Sequence, residues 1–101
     1  MKHIDELRDT IHRLHDAKAT HVESVPVKEV FQGRTVWDGV VEVFRLEGHP
    51  LTDKAYAWLH DTGDPDRPFR HVTVLHIHPA LSPAKAVRAF IVQEFRNAEP
   101  A

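Results

Sequence analysis

Apolar residues open the chain at Ile4, Leu7, Ile11 and Leu14, a three-four-three spacing that places them on one stripe of a helix from Lys2 to about Ala19. Glu6, Arg8, Asp9, Arg13, Asp16 and Lys18 fall on its flanks as a mixed-charge outer surface. After Thr20 the period changes to extended. Val22, Val25, Val27, Val30 and Phe31 crowd into ten residues of high β propensity, and Pro26 among them predicts an edge strand, because proline cannot donate to a ladder. Gln32-Gly33-Arg34 reads as a hairpin turn into a second apolar run, from Thr35, Val36 and Trp37 to Val40, Val41, Val43, Phe44 and Leu46. Asp38-Gly39 interrupts that run and reads as a β-bulge.

Residues 47–53 form a loop to a third strand, Lys54 to Asp61, whose alternation puts Tyr56, Trp58 and His60 on one face and Ala55, Ala57 and Leu59 on the other. Gly63, Asp64-Pro65 and Pro68 mark the next turn, and the fourth strand is expected over Phe69 to His78. Ser82 before Pro83 has the chemistry of a helix N-cap followed by its first turn. Ala86, Val87, Phe90, Ile91 and Phe95 continue that helix, and Asn97 and Pro100 mark its end. The pattern is an α+β fold in the order α-β-β-β-β-α, a four-stranded antiparallel meander expected to carry both helices on one face. The second and fourth strands, however, are apolar on both faces. The expected cover for the second face is another copy of the chain, docked there or along the fourth strand's edge.

The 101 residues, 42% of them apolar, suit one compact domain over 1–101. The absence of cysteine excludes disulfides and thiolate chemistry. Thirteen Lys and Arg against fifteen Asp and Glu give a formal charge of -2, which makes no electrostatic case for a nucleic-acid or anionic-membrane binder. The nine histidines, with a pKa near 6.5, add roughly two positive charges at pH 7. A near-neutral chain lacks repulsion against self-association. No apolar run resembles a signal peptide or a membrane span, so a soluble cytoplasmic protein is the expectation.

Candidate chemistry rests mainly on histidine. His76 and His78, two apart on the expected strand, would point the same way roughly 6.6 Å apart and could share a divalent metal ion with a third ligand from His49, Asp53 or His60. The plainer expectation is no cofactor. In a symmetric hairpin His60 and His71 would lie opposite each other beside Tyr56 and Trp58, a constellation able to perform acid-base work; His60, His71 and Tyr56 are thus the catalytic candidates. Tyr56, Trp58, Trp37, His60 and His71 are also the candidates for lining a binding groove. His12 and His15 lie one turn apart on the first helix, Asp61, Asp64 and Asp66 surround a turn without the full pattern of a calcium loop, and neither Ser24 nor Ser82 sits in a nucleophile elbow. No glycine-rich nucleotide motif is present.

The stretch SPAKAVRAF, Ser82 to Phe90, resembles the start of the second helix of double-stranded-RNA-binding domains, which implies RNA binding. The chain departs from that family in having four strands rather than three, Gly48-His49-Pro50 in another loop and order, and Lys85 and Arg88 in place of a lysine cluster. TVWDGVVEVFRLEGHP and AYAWLHD resemble stretches of small bacterial proteins, a likeness that implies no activity. Two function classes follow. One is a non-enzymatic binding or assembly module, a homodimer that receives a small molecule or a protein partner on an aromatic, histidine-lined face or groove. The alternative is a small histidine-centred enzyme, possible metal assistance included, with RNA binding as a second alternative.

Overall fold

The computed structural model describes residues 2–98. Six elements follow one another as α1 (Lys2–His15), β1 (Lys18–Phe31), β2 (Arg34–Glu47), β3 (Lys54–Asp64), β4 (Arg67–Leu75) and α2 (Pro83–Ala98). The strands form one antiparallel sheet in the order β1-β2-β3-β4, so the α+β meander read from the sequence is the observed one. No helix among the described residues is long and apolar enough to cross a membrane.

The helices divide between the two faces of the sheet, correcting the expectation that they share one. Cross-strand partners point to the same side, and the register joins Val25 with Val41, Val43 with Tyr56, Tyr56 with Val74 and Trp58 with Val72. These residues cluster with Ala86, Val87 and Phe90 of α2. The other face, carrying Ala19, Phe44, Leu46, Ala55 and Ala57, clusters with Leu7 and Ile11 of α1. The doubly apolar second and fourth strands therefore find a helix on each side. That arrangement removes the uncovered face from which a dimer was first expected. Leu14 also departs from its expected place: it is 59% exposed, and the buried face of α1 is carried by Leu7, Thr10 and Ile11. Thr10 satisfies its hydroxyl by donating to the Glu6 carbonyl at 2.8 Å.

Local chemistry fixes the element ends. Helix α1 stops at His15 because Asp16 takes a left-handed φ of 50° and returns its N–H to the His12 carbonyl at 3.0 Å. Gln32 and Gly33, at φ 51° and 76°, make the two-residue turn between the paired ends Phe31 and Arg34. Ser82 caps α2 as expected, its hydroxyl accepting the Lys85 N–H at 3.1 Å, with Pro83 in the first turn. Strand β1 is an edge strand, consistent with Pro26.

The bulge lies elsewhere than expected. Asp38 and Gly39 stay in register with Lys28 and Val27, and the extra residue of β2 is Val36, between the partners of Glu29 and Val30. Gly39 lets the indole of Trp37 lie close over the strand, where an added Cβ would meet the ring at 3.0 Å. A second bulge, at Val22 in β1, falls between His21 and Glu23.

Strand β2 pairs with β3 only from Glu42 to Arg45, opposite Ala57 to Lys54, after which the β1–β2 and β3–β4 hairpins diverge. The projecting hairpins give a radius of gyration of 13.8 Å, slightly above the value of about 13 Å for a compact chain of this length. Aromatic rings bridge the fork. Trp37 meets Trp58 edge to face at 5.8 Å between centroids, and Phe90 of α2 meets Trp58 at 5.5 Å.

Candidate functional site

The register separates the expected histidine pair. His60 lies opposite Arg70 and His71 opposite Leu59, one residue from the symmetric pairing, so the two imidazoles point to opposite faces. His60 packs its ring against Phe90 at 4.9 Å, whereas Nε2 of His71 meets the Glu6 carboxylate of α1 at 3.2 Å. Tyr56 and Trp58 are 2% and 1% exposed beneath α2, and Trp37 is half-buried beside them. Tyr56, Trp58, Trp37 and His60 thus help join α2 to the sheet.

His76 and His78 fall after the end of β4 at Leu75, so the strand spacing expected of them does not apply. His76 shares a 2.6 Å hydrogen bond between its Nδ1 and the Tyr56 hydroxyl, while His78 precedes a cis bond to Pro79. Burial pushes the Tyr56 phenol above its ordinary value and keeps it neutral in that bond. Of the proposed third ligands, His49 faces His15 at 6.4 Å between ring centroids and His60 is on Phe90. Among the described residues, no group of three or more His, Cys, Asp or Glu side chains is arranged to hold a metal ion. Asp61 and Asp64 accept the backbone N–H groups of Gly63 and Asp66, the work of a tight turn.

His12 is exposed, whereas His15 is half-buried with Nε2 2.9 Å from the Thr73 hydroxyl. Desolvation, and next the nearby His49, lower its pKa below the ordinary 6.5. The unfolded chain therefore takes up this proton first as pH falls. The stabilising contribution is present above about pH 6.5 and is lost as pH drops toward the lower folded value. Urea unfolding followed from about pH 7.5 to pH 5.5 is expected to show a steeper loss of stability in the parent than in His15→Gln. Equal slopes would remove His15 from that account.

The sequence reading did not single out Glu42, a carboxylate 3% exposed on the α1 face. It accepts a hydrogen bond from the Ser24 hydroxyl, lies 3.0 Å from His21 Nε2, and has His3 Nε2 at 3.7 Å from its other oxygen. The Val22 bulge makes this possible, because without it His21 and Ser24, three apart on a strand, would face opposite ways. Ser24 and the imidazole converge on one carboxylate oxygen, with Ser24 Oγ 3.5 Å from His21 Nε2. That arrangement satisfies a buried acid; a relay would run from serine through imidazole to acid.

Open apolar surface gathers instead on the outer side of α2. Ala86, Val87 and Phe90 face the sheet, leaving Lys85, Arg88, Val92 and Arg96 on the exposed side. Across from them the tip of the β1–β2 hairpin presents Val30, Phe31 and Val36, which are 58%, 62% and 40% exposed. Between the two is a hollow of about 450 Å³, where Ile91 and Val92 meet the hairpin residues and Glu29, Arg88 and Arg96 supply charge. Glu29 pairs with the Arg88 Nε and strengthens its hold on its proton. On the other side of the Arg88, Val92 and Arg96 ridge, Pro79, Leu81 and Ala89 help line a second hollow of about 580 Å³. The volumes lie within the range of about 300–1,000 Å³ usual for ligand sites. No protein-family model, curated protein or solved structure matches the chain.

Proposed function

We propose that the protein is a non-enzymatic binding or assembly module of the cytoplasm that acts as a homodimer. The observation that supports binding is the open apolar hollow between α2 and the hairpin tip, where Val30, Phe31, Val36 and Val92 stay in water. Tyr56, Trp58, Trp37 and His60, first expected to form that groove, pack between α2 and the sheet, and the hollow is lined by other residues. The enzyme reading loses its main constellation when the sheet separates His60 from His71.

Self-association is best supported along β4. The outer edge of β1 is interrupted by Pro26 and by the Val22 bulge, both devices that discourage pairing. Strand β4 is the other terminal strand, and its one proline, Pro68, lies next to its start. Antiparallel pairing of Phe69 to Leu75 with a second copy would extend the sheet and satisfy the outward N–H and C=O groups. Native mass spectrometry of untagged protein is expected to give two chains per particle. Amide exchange in residues 69–75 is expected to slow as protein concentration rises, while the β1 edge does not change. A single-chain mass at every concentration would refute the dimer.

A further inference from the structure

The two hollows share one ridge, and their charge differs from that of the chain as a whole. Among the described residues, Lys85, Arg88 and Arg96 line them against the single carboxylate of Glu29, a local surplus of two positive charges in a chain of formal charge -2. Lys85 and Arg96 are eleven residues apart, roughly 16 Å along the helix at 1.5 Å per residue. One small anion would reach only part of that length. Apolar pockets on both sides of a cationic ridge match a chain segment that carries two apolar anchors with carboxylates between them. A nucleic acid would use the cations and leave Val30, Phe31, Val36, Leu81 and Val92 without a role. A second copy docked through this ridge would set Lys85, Arg88 and Arg96 against their own counterparts.

We infer that the outer face of α2 and the tip of the β1–β2 hairpin form the docking surface for an acidic amphipathic segment of another protein. This rests on the reading of the protein as a binding module and specifies the partner of the same site. The apolar anchors enter the hollows on either side of Val92. Acidic side chains of the segment meet Arg96, Lys85 and the exposed side of Arg88, whose Nε is already engaged by Glu29.

The probe is a short fluorescein-labelled peptide with two leucines on one helical face and glutamates around them, compared with a version in which lysine replaces every glutamate. Anisotropy titrations with the full chain are expected to show saturable 1:1 binding of the acidic peptide. It should be at least about tenfold tighter than the lysine version and weaken as salt is added. Arg96→Glu and Val92→Asp lie on the exposed side of α2, so unfolding is not expected. Each should weaken the acidic peptide by about tenfold, and Arg96→Glu should recover part of the lysine peptide's binding. Equal binding of both peptides, or no change in either variant, overturns the proposal. So does tighter binding of a short RNA duplex than of the acidic peptide, which would assign the cations to phosphate. A fall from dimer to monomer in Val92→Asp would make the face a self-interface and also overturn the acidic segment. Because the β4 dimer is judged by mass and amide exchange, failure of the peptide leaves that reading standing.

Discussion

Trp58→Ala is expected to lower the stability of the folded chain by about 3–5 kcal/mol, the range for removing a large aromatic from a core. Trp58 is 1% exposed and lies just beyond Ala57, where the β2–β3 ladder ends. Past that point the hairpins diverge, and the edge-to-face contacts of Trp58 with Trp37 and Phe90 connect them to each other and to α2. A small domain has a net stability of about 5–15 kcal/mol, so this one side chain holds a large share. The indole also carries a cost, because its Nε1 is buried with no hydrogen-bond partner in the structure. An unmet buried donor costs about 1–3 kcal/mol. Trp58→Phe keeps an aromatic edge for Phe90 and removes that donor, so it is expected to lose less than half of what alanine loses. Urea titrations followed by circular dichroism and the remaining Trp37 fluorescence measure both variants. Equal losses would mean that ring contacts across the fork carry nothing beyond the volume removed.

The features legible in the sequence are those fixed by neighbouring residues. Ser82-Pro83 placed the start of α2, Pro26 marked β1 as an edge, and alternation in β3 put Tyr56, Trp58 and His60 on one side. Features that require counting across a turn or choosing a face were not fixed in this way. Apolar residues on both sides of β2 and β4 show that each face is covered, but the same pattern fits a second helix and a second chain equally. The His60–His71 pairing failed by one residue because the hairpin shifts register between Asp61 and Asp64, which sends His71 to the α1 face and Glu6. The misplaced bulge has a related cause. Gly39 looked like a break in the strand, yet it is the flat position that admits the Trp37 ring.

The surface proposed for binding was obscured for a different reason. Lys85, Arg88, Val92 and Arg96 are far from Val30, Phe31 and Val36 in the chain, and only the packing of α2 on the sheet brings the groups together. Its sequence signal is weak, a valine among cations on the side of the helix opposite Ala86, Val87 and Phe90. Glu42 had a clearer signal. It is the one charged residue in the run Val40-Val41-Glu42-Val43-Phe44, and an acid within such a run needs partners from elsewhere.

Those partners lead to an expected reversal between two substitutions. Replacing Glu42 by leucine of similar size removes the buried charge. Ser24 is exposed and the His21 side chain is 29% exposed, so both can turn to water once the acid is gone. The expected change is within about 1 kcal/mol of the parent, or a gain, because an apolar replacement of a buried ionic group is often neutral or stabilising. His21→Ala leaves the acid in place with less to satisfy it. It also removes the edge-to-face contact of the imidazole with Phe44, 5.4 Å between centroids. Ser24 and His3 still face the carboxylate and limit the loss, which is expected at about 1–3 kcal/mol. In the double variant most of the His21 loss should vanish, leaving chiefly the Phe44 contact, so the cycle is expected to be strongly non-additive. Chemical denaturation of the parent and three variants at one pH above the histidine range measures the cycle. A greater loss in Glu42→Leu than in His21→Ala would show that the carboxylate stabilises the β1–β2 hairpin outright, whereas the expected order means that His21 and Ser24 offset the burial of a charge.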